Sequence, residues 1–153
     1  MNMRTRNSGS SRNLRAIEMN PMAVESHRML GHTLALQGDL AGAERVLRET
    51  LTLPGAGAYT KGALGWVLAL AGRRLETEAL LRELELTAQS SYVSPVPFAI
   101  LHIGLGSLDR ALDWAERAFD ERRGWLAYFK VNPMLDPLRG HPRFEALVRG
   151  MKL

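Results

Sequence analysis

The chain has 153 residues, 46% of them hydrophobic and none of them cysteine. That length supports one domain with a core of its own, the missing thiols exclude disulfides and thiolate metal sites, and no apolar run reaches the roughly 18 residues that a membrane span needs. The formal net charge of +4 is unevenly spread: Arg4, Arg6, Arg12 and Arg15 stand near the N-terminus without an acid among them, and the rest of the chain is balanced.

Residues 1–12, rich in Arg, Asn, Ser and Gly, bury too little apolar surface to offset their ordering entropy, so a disordered basic tail is expected there. No apolar leader follows the arginines, which excludes a secretory signal and makes the cytoplasm the expected location. Residues 13–153 read as one helical domain. Its first segment, Leu14-Arg-Ala-Ile-Glu-Met-Asn-Pro21, has the form of the second helix of a hairpin whose first helix is missing. The chain is therefore expected to begin inside a repeat, as a fragment of a longer protein or from an internal start.

Three units follow, each 34 residues from the next, starting at Val24, Ala58 and Tyr92. Their predicted extents are about 24–54, 58–90 and 92–123. The first helix of each carries large residues around one small residue. These are His27, Leu30, Gly31 and Leu34, then Lys61, Leu64, Gly65 and Leu68, then Pro95, Phe98, Ala99 and His102. A glycine inside a helix costs about 1 kcal/mol against alanine, so its recurrence at one register predicts close packing of the first helix on its own second helix. Gly38, Gly72 and Gly106 keep the same spacing and suit a left-handed residue that closes a helix. Asp39 and Ser107, which follow two of them, are expected N-caps.

The second helices share a seam at i, i+4 and i+7: Ala43, Leu47 and Thr50; Thr77, Leu81 and Leu84; Ala111, Ala115 and Ala118. That spacing places each trio on one helical face. Short linkers at Pro54-Gly-Ala-Gly57 and Ser94-Pro-Val-Pro97 divide the units, with Pro95 and Pro97 expected in a first helical turn. After Phe119 the period is expected to stop. Residues 124–153 then form a terminal cap: an aromatic block of Trp125, Tyr128 and Phe129, a turn at Asp136-Pro-Leu, and a last helix from Pro142. Phe144, Leu147 and Val148 are expected to face the stack, and Arg143, Glu145 and Arg149 to face water.

A helix-turn-helix unit with this period and this Leu-Gly core resembles the tetratricopeptide repeat. Residues 57–153 further resemble the C-terminal tetratricopeptide tail of bacterial multidomain regulators, which include serine/threonine kinases, adenylate cyclases and winged-helix transcription regulators. The likeness rests on Leu64-Gly-Trp-Val-Leu-Ala-Leu-Ala-Gly-Arg-Arg74, Tyr92-Val-Ser-Pro95 and Leu105-Gly-Ser-Leu-Asp-Arg-Ala-Leu112. It rests also on Trp125-Leu-Ala-Tyr-Phe-Lys-Val-Asn-Pro133 and Asp136-Pro-Leu-Arg-Gly-His-Pro-Arg-Phe144. It implies an all-α solenoid of three repeats, a leading half repeat and a capping helix, and a role in protein contacts. Thr77, where alanine is usual, and His102, where an aromatic or leucine is usual, depart from the pattern.

Nothing in the residues points to chemistry. The four histidines, 27, 32, 102 and 141, include no pair four apart on one helical face, so no metal site is expected. There is no phosphate-binding loop or serine elbow. No catalytic residue and no cofactor is expected. In a solenoid of this kind the concave surface belongs to the first helices, which places Arg28, His32, Tyr59, Trp66, Leu70, Val96, Ile100 and Ile103 along a groove, with Trp66 as an exposed anchor for a peptide or helix. The groove is polar at one end and apolar at the other. A protein or peptide is the expected partner. One alternative is self-association through the uncovered Leu14, Ile17 and Met19. Another, less favoured, is contact with nucleic acid through the arginine tail.

Overall fold

The computed structural model describes residues 23–121 and 133–150. The arginine tail, the leading half repeat with Leu14, Ile17 and Met19, and the block of Trp125, Tyr128 and Phe129 lie outside the described residues. The described chain is all helix: α1 (Val24–Leu36), α2 (Leu40–Thr50), α3 (Gly57–Leu70), α4 (Arg74–Ala88), α5 (Pro95–Gly104), α6 (Leu108–Asp120), a 3-10 turn (Pro133–Leu138) and α7 (Pro142–Gly150). Consecutive helices pair as antiparallel hairpins, α1 with α2, α3 with α4 and α5 with α6. The architecture is the expected all-α helical repeat.

Each hairpin turns at a glycine that no other residue replaces without strain. Gly38, Gly72 and Gly106 have φ of +87°, +79° and +75°, the left-handed region that a Cβ disfavours. The beat does not stop after Phe119, as the sequence suggested. Gly140 stands 34 residues beyond Gly106 with φ +87°, and α7 starts 34 residues after α6. The last helix therefore enters the stack as a fourth second helix. The break in pattern is one of face: Phe144 and Leu147 are buried on α7, where the earlier seam register points to Glu145 and Arg149.

Capping differs from unit to unit. Asp39 caps α2 by accepting from the Gly42 amide at 3.0 Å, and a Cβ at Gly42 would fall on the Asp39 carboxylate. Ser107 makes no side-chain cap on α6, contrary to expectation, and Arg73 makes none on α4. Arg73 and Arg48 instead join Glu44 and Glu76 in a four-membered ionic cluster that ties α2 to the start of α4. Ser94 caps α5 by accepting from the Val96 amide at 3.3 Å.

All nine seam residues of the second helices are buried. Thr77, the departure from the usual alanine, donates its hydroxyl to the Gly65 carbonyl at 2.8 Å, which satisfies the group inside the core. The small residues of the first helices meet different neighbours. A Cβ at Gly31 would come within 2.7 Å of Leu47, on its own second helix. At Gly65 it would fall 2.1 Å from Leu101, on the first helix of the next unit. Gly65 thus admits α5 as well as α4. Arg143, expected in water, is half-buried; it meets Asp113 and Glu116 of α6 and holds the last helix to the stack.

Gly65→Ala should lower the unfolding free energy by about 1–3 kcal/mol through overpacking against the buried Leu101, although alanine is intrinsically the better helix former by about 1 kcal/mol. Gly38→Ala, with open space around it, should cost about 1 kcal/mol from its φ alone. Urea unfolding followed by circular dichroism measures both; a stabilised Gly65→Ala would contradict the α3–α5 contact.

Candidate functional site

The first helices α1, α3 and α5 lie side by side, and their two joints differ. Between α3 and α5 the backbones nearly touch. A Cβ at Gly62 would lie 3.1 Å from the Pro97 Cα, one at Gly65 would clash with Leu101, and one at Gly104 would lie 3.0 Å from the Ala69 Cβ. Between α1 and α3 the contact is made by long side chains instead. The Arg28 guanidinium lies over the Tyr59 ring, 5.2 Å from its centroid. One turn along, the His32 ring stacks on Trp66 with centroids 5.2 Å apart and planes 19° off parallel. The Tyr59 hydroxyl shares a 3.0 Å hydrogen bond with the Ser94 hydroxyl. One row thus links all three units: Arg28 on α1, Tyr59 on α3 and Ser94 at the cap of α5.

The eight residues expected along the groove separate into two groups. Arg28, His32 and Tyr59 are half-buried at the α1–α3 joint, and Leu70 is 50% exposed. Leu36, at the matching position of α1, is 46% exposed. Trp66 is not an exposed anchor: it is 5% exposed, closed over by His32 and by the approach of Gly104 to its backbone. Val96, Ile100 and Ile103 are buried in the main core cluster, which also contains Met134, Leu135, Leu138 and Phe144. The 3-10 turn packs against α5. The apolar end of the expected groove is therefore occupied by the chain's own C-terminal turn. Ser94, which fixes Tyr59, was legible only as a linker residue; its position just before Pro95 is the cue that marks it as a cap.

Burial first, and the neighbouring Arg28 charge second, lower the His32 pKa from its ordinary value. For His102 the order is burial, then Arg110, with Asp113 opposing. His102 is 5% exposed, and among the described residues its Nδ1 has no hydrogen-bond partner, as suits a buried neutral ring. Among the described residues no three His, Cys, Asp or Glu side chains gather as a metal site, and no helix is long and apolar enough to cross a membrane.

Residues 24–49 match the family model of the tetratricopeptide repeat, which spans α1 and nearly all of α2. No curated protein and no solved structure matches the chain. The match, and the helical hairpins that follow it at the same beat, give the described chain a tetratricopeptide-like helical repeat fold. Repeats of this type generally mediate protein–protein interaction and are typically non-catalytic.

Both lowered histidines set a pH dependence. A pKa held below the ordinary 6.5 means that the unfolded chain takes up the proton more readily than the folded one. The stability they contribute is complete above about 6.5 and is lost as pH falls through their folded values. Proton NMR titration of the ring Cε1–H signals should give midpoints below 6.5 for both, with urea stability falling over the same window. Midpoints at or above that value would contradict the burial of the two rings.

Proposed function

We propose that the chain is a non-catalytic scaffold that receives a peptide or helix along the α1–α3 joint of its concave face. The observation that carries this reading is the contrast between the two joints. The α3–α5 joint is closed glycine by glycine, whereas the α1–α3 joint is bridged by Arg28, His32, Tyr59 and Trp66. Leu36 and Leu70, each the last residue of its helix, leave half of their surface exposed at the end of that joint. Exposed leucines beside braced aromatic and cationic groups are the composition of a docking surface with an apolar anchor and a polar rim. An amphipathic segment fits such a surface by laying its apolar side chains on the leucines. The likeness of 57–153 to the tails of multidomain regulators supports a regulatory setting for the contact.

The test uses peptides selected on the full-length chain from a phage-displayed library of random short sequences. Leu36→Glu and Leu70→Glu should weaken the selected peptides at least tenfold, about 1.4 kcal/mol, with unchanged helical circular dichroism. Leu75→Glu, at a 78% exposed position of α4, should leave them unchanged. Binding that ignores both groove variants would remove the joint as the docking surface.

A further inference from the structure

The side of α4 turned away from the stack has a pattern of its own. Thr77, Leu81 and Leu84 are the buried residues of this helix. At about 100° per residue, the opposite side carries Leu75, Ala79, Arg82 and Leu86, all of them exposed. Leu75 is 78% exposed and Leu86 64%, so two large apolar side chains stand in water about 16 Å apart on one stripe. The steps along the stripe, from 75 to 79, 82 and 86, are four, three and four residues, an order that reads the same from either end. A row of alternating charge runs along one edge of it: Arg74, Glu78, Arg82 and Glu85. Arg74 meets Glu78 at 3.0 Å, whereas Arg82 and Glu85 meet no opposite charge among the described residues.

We propose that the outer face of α4 is the two-fold interface of a homodimer, with α4 of one copy lying antiparallel on α4 of a second copy. An axis midway between Leu80 and Leu81 sets Leu75 of each copy on Leu86 of the other, and Ala79 opposite Arg82. The small Ala79 leaves room for the Arg82 stem to lie across it. The same axis brings Arg82 beside Glu78 and Arg74 beside Glu85, each twice by symmetry. The second copy thus supplies the carboxylate that Arg82 lacks and the base that Glu85 lacks. A parallel copy would set arginine on arginine and glutamate on glutamate, so charge selects the antiparallel arrangement. On the other edge Glu83 of one copy faces Glu76 of the other, which already holds Arg48 and Arg73. A surface that complements itself in apolar spacing and in charge order is what an isologous contact needs. The contact is one helix pair of under about four turns, at the small end for a protein interface, and a dissociation constant of about 1–100 μM is expected.

Sedimentation velocity on the full-length chain from about 1 to 300 μM should show a monomer–dimer equilibrium. Leu75→Glu and Leu86→Glu should each weaken the dimer at least about tenfold, whereas Leu70→Glu, in the groove, should leave it unchanged. Arg82→Glu and Glu78→Arg should each weaken self-association about tenfold by setting like charges together. An equimolar mixture of those two variants should associate as the parent chain does, because each supplies the charge the other lacks. That rescue separates a contact between copies from damage within one chain. Far-ultraviolet circular dichroism on each variant confirms that the fold is retained. A chain that stays monomeric across the range, or a dimer indifferent to both leucine variants, would overturn the interface. A mixture that associates no better than its components would overturn the antiparallel register. A monomer that holds a different protein through Leu75 and Leu86 would give the face to that partner instead. None of these results bears on the groove, which the selected peptides test separately.

Discussion

A helix can lie against two neighbours at once only where its contact faces carry nothing that holds them apart. The middle unit depends on that constraint. Gly65 presents bare backbone to Leu101 of α5 while its carbonyl takes the Thr77 hydroxyl from α4. Gly62 and Gly104 extend the same closure along the α3–α5 joint. Each glycine is unfavourable for its own helix; the dispersion contact and apolar burial gained across the joint offset that cost. The seam of the second helices follows the same rule in part, with alanine or threonine at six of its nine positions and Leu47, Leu81 and Leu84 at the other three.

The first unit departs from this at one joint. Arg28 occupies on α1 the register that Gly62 occupies on α3, and a long side chain there holds the backbones apart. The gap is filled by rings and a guanidinium, which carry polar edges as well as apolar faces. At this joint Arg28 stands in the register of Gly62 and Leu70 in that of Gly104, so that side chains meet where the other joint brings backbones together. At the other end the C-terminal turn lays Met134, Leu135 and Leu138 into the core that Val96, Ile100 and Ile103 help to form, so these first-helix residues are core.

The charged groups divide by role in the same way. Arg48, Arg73, Glu44 and Glu76 pair across the first two units, and Arg143 pairs with Asp113 and Glu116 at the last helix. Exposed pairs of this kind add little stability, but they favour one register of neighbouring helices over the others. Arg28, over Tyr59, and Arg117, over Trp114, are held by rings instead.

The residue pattern was sufficient for the architecture. The 34-residue recurrence of Gly38, Gly72 and Gly106, with the small-residue seams, depends on backbone conformation and local spacing, and both are written in single residues. Its continuation to Gly140 was missed because α7 buries Phe144 and Leu147 on a rotated face, which breaks the hydrophobic register while keeping the turn. Arg28, His32 and Tyr59 were legible as residues of one first-helix face, since repeat position sets the face, and they meet between α1 and α3. Position in the repeat could not say what covers that face. A tryptophan or isoleucine at a groove register reads alike whether solvent, a partner or the chain's own terminus lies over it. Only the tertiary structure decided that His32 and Gly104 close over Trp66 and that the C-terminal turn packs on α5, because coverage depends on contacts between residues far apart in the chain, which no local period records.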